Sequence, residues 1–252
     1  MAERLRRDAD QAEGLRRLFG VAPVRLAPIL LDRGTATQVA SLVRLAQACA
    51  GLGMRTLVLD AARAQFAAAL GLRARFDLLH AQRGECTLEQ ALLDAGQDLA
   101  VLPVARAAAH AQSERADFCA QIGRLASAAF PADLVLLLLE PAQAALLEGA
   151  GRGELIVPMP RQRAGWPSLL GALGPFADTA DIAGFRLLFP AWDGDTAARL
   201  YSDLAHACRE RLRPALRFGG AVPVAHDWLR VARASTEWEL ARLPRPQIVR
   251  TF

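Results

Sequence analysis

The chain has 252 residues and a formal net charge of +4, and 53% of its residues are hydrophobic while only 6% are aromatic. This apolar content excludes a disordered chain, because it is sufficient to bury a large core. All 30 basic residues are Arg, which excludes chemistry that depends on lysine, such as Schiff-base formation.

Residues 2–19 are predicted to form a separate amphipathic helix. Its narrow apolar stripe is flanked by charged side chains, among them several Arg residues; the stripe consists of Leu5, Ala9, Ala12, Leu15, Leu18 and Phe19. Such a helix can dock on a partner protein or pack on its own domain. We therefore expect two units, an N-terminal helix over residues 1–20 and one domain over residues 21–252.

Residues 24–60 have the pattern of a strand, a turn, a helix and a second strand. An apolar run at 24–31 reaches a turn at Asp32, Arg33, Gly34 and Thr35, and a helical pattern then continues to residue 51. The apolar run at 56–59 ends in Asp60. Parallel sheets are built from such units, and their first turn is a common phosphate-binding site.

The rest of the chain alternates further helices and strands. Predicted helices cover residues 61–70, 105–129, 196–211 and 228–240, and another begins at Thr87, which can form a capping box with Gln90. Predicted strands cover 99–103, 134–139, 155–157, 185–189 and 218–222. This alternation predicts an α/β fold with an open, mostly parallel sheet and helices on both faces.

Other classes of function lack a signal in the sequence. The Arg residues are scattered without interleaved aromatic residues, so no nucleic-acid interface is expected. The four Cys residues lie far apart and the four His residues are not at ligand spacing, so no metal site is expected. The chain shows no signal-peptide core and no membrane-spanning run, so we expect free thiols and a cytoplasmic location.

Several segments in order resemble the MinD-like flagellar-number regulators, called FlhG or FleN. The N-terminal segment DQAEGLRR at 10–17 is similar to the DQAxxLR helix of that family. The body adds TLVLDA at 56–61, RGECTLEQALL at 83–93, LAVLPVA at 99–105 and GGAVPVAHDWLRVA at 219–232. The resemblance covers nearly the whole chain and implies the P-loop fold of the MinD/ParA ATPases.

The resemblance also locates a nucleotide loop, which in that family reads KGGVGKT. The matching positions here are Arg33, Gly34, Thr35, Ala36, Thr37, Gln38 and Val39. In the family, the last lysine contacts the terminal phosphates and the following Thr binds Mg²⁺. Gln38 has no positive charge and Val39 has no oxygen, so neither residue can replace its counterpart.

Other positions of the family's nucleotide site differ as well. The carboxylate two residues after Asp60 is replaced by Ala62, and the switch aspartate falls on the segment Leu138-Leu139. The base-contacting Asn falls on Pro190. We therefore predict a pseudo-ATPase with Asp60 as a retained residue and no cofactor; ATP and Mg²⁺ would bind only if the altered loop still accepts them.

Without ATPase activity, the function that the resemblance still implies is the binding of a partner protein. The resemblance implies that the DQAxxLR helix stimulates the signal-recognition-type GTPase FlhF, and flagellar switch or regulator proteins are a second class of candidate partner. The implied location is the cytoplasm, including the cell pole and the inner-membrane periphery. The predicted partner-binding residues are Asp10, Gln11, Ala12, Leu15, Arg16 and Arg17.

Two alternatives stay open at this point. One is a degenerate MinD-like scaffold in another cell-envelope or polar-organising system. The other is an active ATPase with an atypical loop, in which Arg33 or another Arg replaces the lysine.

Membrane association by a C-terminal amphipathic helix is doubtful. Pro244 and Pro246 interrupt the segment that would form it. Apolar side chains just before them could form a face, but packing in the core is the favoured interpretation; they are Trp228, Leu229, Val231 and Trp238.

Overall fold

A computed structural model describes residues 23–31, 36–63, 65–128, 130–179, 181–210, 212–223 and 227–244. All six predicted partner-binding residues lie outside these ranges, as do Arg33, Gly34 and Thr35. The helix expected over residues 1–20 therefore stays a prediction.

The described chain alternates strands and helices. The strands are β1 (Val24–Leu30), β2 (Thr56–Asp60), β3 (Leu93–Asp94), β4 (Leu99–Pro103), β5 (Leu134–Leu139), β6 (Gly153–Pro158), β7 (Ile182–Pro190), β8 (Ala215–Val222) and β9 (Ala241–Leu243). The helices are α1 (Ala36–Gly51), α2 (Gln65–Ala69), α3 (Leu78–Gln82), α4 (Leu88–Ala91), α5 (Ala105–Glu114), α6 (Phe118–Ala128), α7 (Trp166–Gly171), α8 (Gly174–Thr179), α9 (Gly194–Cys208) and α10 (Trp228–Ala234). Short 3₁₀ segments are Pro141–Leu147, Arg163–Gly165 and Ser235–Glu237.

One sheet organises the domain, in the order β3-β4-β2-β5-β1-β6-β7-β8, with β9 paired to β1. The pairs are parallel except for β3 with β4 and β1 with β9. The prediction of an open, mostly parallel α/β sheet is confirmed. Strand β5 lies near its centre, and all six of its residues are buried, which explains their uniformly apolar character.

Both faces of the sheet are covered. Helices α1, α2 and α10 contribute to the core on one face, where Val39, Leu42 and Leu45 of α1 are buried. The other face is covered by α5 to α9 and the 3₁₀ segment Pro141–Leu147. Burial of each large aliphatic side chain contributes about 1.5–3 kcal/mol, so these faces supply most of the stability. No helix among the described residues is both long and apolar enough to span a membrane.

The prediction of one helix over residues 105–129 is wrong. Helix α5 ends at Glu114. The next residue, Arg115, has a left-handed backbone (φ 51°) that closes the helix, and the N–H of Ala116 donates to the Ala111 carbonyl at 3.0 Å. Asp117 then begins α6, because its carboxylate accepts the Ala120 N–H at 2.8 Å. No Gly or Pro marks this break in the sequence.

The prediction of a final helix over residues 228–240 is also wrong. Helix α10 ends at Ala234, and the chain continues through Ser235–Glu237 into β9. The Ser235 hydroxyl donates to the Ala232 carbonyl at 2.7 Å, and the Ser235 carbonyl accepts a hydrogen bond from the Arg25 guanidinium. These bonds end the helix and direct the chain towards β1.

The four cysteines are free thiols in different surroundings. Burial raises the pKa of Cys49 and of Cys119 to about 12, and the thiolate is the reactive form. At pH 8 we therefore expect iodoacetamide to modify half-buried Cys86 in the native protein, and Cys49 and Cys119 only after unfolding. Mass spectrometry of digests measures this order, with Cys86→Ser as the control; native-state modification of Cys49 at the rate of Cys86 would contradict it.

Candidate functional site

The candidate site lies at the carboxyl ends of the parallel strands. Strand β1 lies between β5 and β6, and the chain after β1 leads to β2 on one side of the sheet, whereas the chain after β6 leads to β7 on the other side. Open α/β sheets bind ligands at such a switch point. The predicted nucleotide loop connects β1 to α1 at this edge, so its described residues Thr37, Gln38 and Val39 lie at the start of α1.

Gln38 occupies the predicted lysine position and is 6% exposed. Its side-chain amide donates to the Pro158 carbonyl at 3.2 Å. Pro158 is the last residue of β6, so this bond connects the start of α1 to the neighbouring strand. The side chain that would contact phosphate in the family is directed to the protein's own backbone.

Val39 occupies the predicted metal-binding position and is 3% exposed. It belongs to the apolar core beneath α1, together with Leu31 and Leu42. A hydroxyl here would need a partner in a hydrophobic environment. The position is used for packing.

Asp60 ends β2 and is buried, and its Oδ2 accepts the N–H of Phe66 at 2.9 Å. Phe66 lies in the first turn of α2, so the carboxylate holds the start of that helix. Ala62, at the position of the lost carboxylate, is buried beside this core.

Gln143 was not identified from the sequence. Its amide nitrogen donates to the Ala61 carbonyl at 3.1 Å, and its amide oxygen accepts the Glu140 N–H at 2.9 Å. These bonds join the chain after β5 to the chain after β2. Glu140 and Gln143, with Pro141 at the first helical position, form a capping pattern that the sequence could have revealed.

Polar side chains at this edge therefore bind backbone groups of the protein itself. Gln38 connects α1 to β6, Asp60 connects β2 to α2, and Gln143 connects the ends of β5 and β2. Leu139, near the position of the lost switch aspartate, is fully buried. No three His, Cys, Asp or Glu side chains gather as a metal site among the described residues.

A cleft of ≈ 370 Å³ opens beside Gln38. It is built by the start of α1, by the residues after β6 and by the end of β7, so Thr37, Gln38 and Pro190 lie in one wall. Asp60 is not part of its wall. The lining residues are Thr37, Gln38, Ser41, Met159, Pro160, Arg161, Gln162, Pro190 and Ala191.

The fold can be compared with solved structures. The MinC:MinD cell division protein complex of Aquifex aeolicus is 14% identical, with 85% of this chain and 96% of that chain covered at a TM-score of 0.57. A cobyrinic acid a,c-diamide synthase from Mycobacterium smegmatis, solved with bound ADP and magnesium, is 15% identical. The comparison covers 87% of this chain and 98% of that chain, at a TM-score of 0.56. A plasmid partition protein from Borrelia burgdorferi is 13% identical, with 84% of this chain and 99% of that chain covered at a TM-score of 0.52.

The fold is that of the MinD/ParA-type P-loop ATPases. Comparison with family models and with curated protein sequences finds no match for this chain. The MinD/ParA-type fold implies ATP and Mg²⁺ at the loop before α1. The described residues do not fit that group, because Gln38 carries no charge and its amide is bonded to Pro158, while Val39 offers no metal ligand and lies in the core.

Replacing Gln38 tests how much its hydrogen bond to the Pro158 carbonyl contributes to the stability of the protein. Gln38→Leu should lower the free energy of unfolding by about 1–2 kcal/mol, since the Pro158 carbonyl loses its donor. Gln38→Glu should cost about 2–4 kcal/mol, because a carboxylate would meet a carbonyl oxygen in a buried position. Urea unfolding measures both.

The matched control is Gln47→Glu, at an exposed position of the same helix. Its effect should stay within about 0.5 kcal/mol. Equal losses at positions 38 and 47 would show that the Gln38 bond contributes nothing to stability.

Proposed function

We propose that this protein is a MinD-like regulator of flagellar placement and number that does not hydrolyse ATP. It acts by binding the signal-recognition-type GTPase FlhF through its N-terminal helix and stimulating GTP turnover. The single observation that supports the proposed loss of ATPase activity is the buried hydrogen bond from the Gln38 side chain to the Pro158 carbonyl. It directs the residue at the lysine position into the protein.

The chemistry of the edge supports this proposal. Phosphoryl transfer needs positive charge and a metal ion around the transferred group. Gln38 and Val39 supply neither, and Asp60 holds the start of α2. The MinD/ParA-type fold here is proposed to carry the regulatory helix.

The regulatory part of the proposal depends on the sequence of residues 10–17. Gln11, Asp10 and Arg16 can offer hydrogen bonds or charge at the nucleotide pocket of a partner without ATP chemistry in this chain. Flagellar switch or regulator proteins are further candidate partners. The expected location is the cytoplasm, at the cell pole or at the periphery of the inner membrane.

Isothermal calorimetry with Mg-ATP tests the pseudo-ATPase proposal. We expect no binding of sub-millimolar affinity, because the phosphates would meet neither a lysine nor a metal ligand. A sub-millimolar dissociation constant would contradict the proposal and favour the atypical loop in which an Arg such as Arg33 replaces lysine. A MinD-type ATPase that retains its loop lysine provides the positive control.

The regulatory activity is tested by GTP turnover of the cognate FlhF, alone and with the full-length protein. Wild type should stimulate turnover, Gln11→Ala should abolish stimulation, and Glu13→Ala, at a variable position of the same segment, should retain it. Deletion of residues 1–20 should have the effect of Gln11→Ala. If the folded wild type does not stimulate, the scaffold alternative replaces this proposal.

A further inference from the structure

The side of the cleft beside the ends of β6 and β7 is poor in free backbone hydrogen-bond donors. Pro160 and Pro190 have no N–H group, and the N–H groups of Met159 and Ala191 donate to the Leu188 and Val222 carbonyls at 2.7 and 2.8 Å. Phosphate sites depend on free backbone N–H groups. Met159, Pro160, Pro190 and Ala191 therefore offer no free backbone N–H to a phosphate group.

Several carbonyl groups around the cleft are also occupied. The Pro158 carbonyl accepts from Gln38, the Pro160 carbonyl accepts from the Trp166 indole at 3.0 Å, and the Thr37 carbonyl accepts from the Ser41 hydroxyl at 2.9 Å. The interior that a ligand would meet is thus mainly apolar. Met159 and Pro190 are buried there, and Pro160 is half-buried.

A positive charge stands at the mouth. Arg161 is exposed and lines the cleft, and it forms no ion pair with any residue in the described part of the chain. The next Arg along the chain, Arg163, differs because its guanidinium lies 5.8 Å from the centre of the Trp166 ring. The exposed Arg161 guanidinium thus lies at the opening of the cleft, and Thr37 and Gln162 are exposed polar neighbours.

We propose that this cleft binds a small planar aromatic anion, with the ring against Pro160 and Ala191 and its single carboxylate or sulfonate at Arg161. Pro160 and Ala191 offer an apolar wall to a ring, and a guanidinium pairs with planar anions. The volume of ≈ 370 Å³ lies within the range of small-molecule sites, about 300–1,000 Å³. The inference goes beyond the proposed function and holds whichever protein partner residues 1–20 bind.

The probe is 8-anilinonaphthalene-1-sulfonate, titrated into the full-length native protein and followed by its fluorescence. N-phenyl-1-naphthylamine, which has the same rings without the sulfonate, is the neutral comparison. Trp166 and Trp192, whose ring centres are 6.3 Å apart, provide a second signal because both lie next to lining residues of the cleft. The Trp166 indole is hydrogen-bonded to the Pro160 carbonyl, and Trp192 follows Ala191 in the chain. Excitation of tryptophan should sensitise probe emission.

Wild type should bind the sulfonate probe at one saturable site. Thr37→Phe, which fills the mouth, should abolish this site, whereas Ala40→Phe, also exposed on α1 but outside the cleft wall, should not. Arg161→Gln should lower the affinity for the sulfonate probe about five- to tenfold and leave the affinity for the neutral probe unchanged. This exposed substitution tests the charge even if Thr37→Phe is poorly folded.

Three results would overturn the inference: no saturable binding, equal binding by Thr37→Phe and Ala40→Phe in folded proteins, or equal effects of Arg161→Gln on both probes. Displacement of the probe by sub-millimolar Mg-ATP would overturn both the ligand class and the pseudo-ATPase proposal. Absence of probe binding with no ATP binding would leave the proposed function intact.

Discussion

Glu154→Gln is expected to lower the free energy of unfolding by about 3–5 kcal/mol, because it removes the charge that compensates a largely buried guanidinium. Glu154 is fully buried in β6. Both of its oxygens contact the Arg186 guanidinium, one of them at 2.7 Å from Nη2, and the Arg217 guanidinium approaches the same oxygen.

The surroundings explain why Arg186 cannot simply turn to water. Its side chain is 15% exposed, its Nη1 donates to the Phe218 carbonyl at 3.1 Å, and its guanidinium lies 5.1 Å from the centre of the Trp238 ring. In Glu154→Gln the positive charge would stay in place with only neutral partners. Glutamine has nearly the same volume as glutamate, so the loss of unfolding free energy comes from the removed charge and not from a cavity.

Urea unfolding at high and low salt measures this effect. Glu239→Gln is the control, because Glu239 contacts Arg217 at 3.0 Å but its side chain is 45% exposed. Its substitution should cost less than about 1 kcal/mol. If both substitutions cost the same, the buried carboxylate has no special role.

Asp77→Ala is expected to lower the free energy of unfolding by about 3–4 kcal/mol, since one carboxylate serves the starts of two helices. Its Oδ1 accepts the N–H of Leu79 at 2.9 Å, in α3, and that of Ala107 at 3.1 Å, in α5. Its Oδ2 accepts the N–H of Arg106 at 3.0 Å. Asp77 is 7% exposed, so water cannot readily replace these bonds.

Two variants sharpen the test by thermal and urea unfolding. Asp77→Asn keeps one acceptor oxygen and should lose about half as much stability as Asp77→Ala. Asp117→Ala removes an exposed cap of α6, where the single bond to Ala120 N is 2.8 Å, and should cost about 1 kcal/mol or less. A loss at Asp77 no larger than at Asp117 would argue against the two-helix role.

The fold was predictable because its signals are local and repeated. Strand β5 is uniformly apolar, and the capping box of Thr87 and Gln90 is present with bonds of 3.2 and 2.8 Å. The helix end at Arg115 was missed because a left-handed non-glycine residue leaves no compositional mark. Strand β9 was missed because its three residues depend on pairing with a distant strand.

The site was predictable only in part. Sequence placed Gln38 and Val39 at the lysine and metal positions, but it could not indicate that Gln38 binds a carbonyl 120 residues away. Burial of Trp228, Val231 and Trp238 agrees with the favoured core interpretation, while Leu229 is 46% exposed. Nothing local in the sequence connects Gln143 to Ala61, because that contact exists only once the sheet has formed.

Strand β9 has a consequence for how the chain is made. It pairs with the amino half of β1, and a Cβ on Gly153 would lie 2.5 Å from the Ala241 nitrogen, so only glycine lets β6 approach it. On the ribosome, the first strand must wait for residues 241–243 before that flank is paired. A nascent chain stalled before residue 241 should therefore leave residues 24–26 of β1 unpaired along this edge, where a chaperone can bind them.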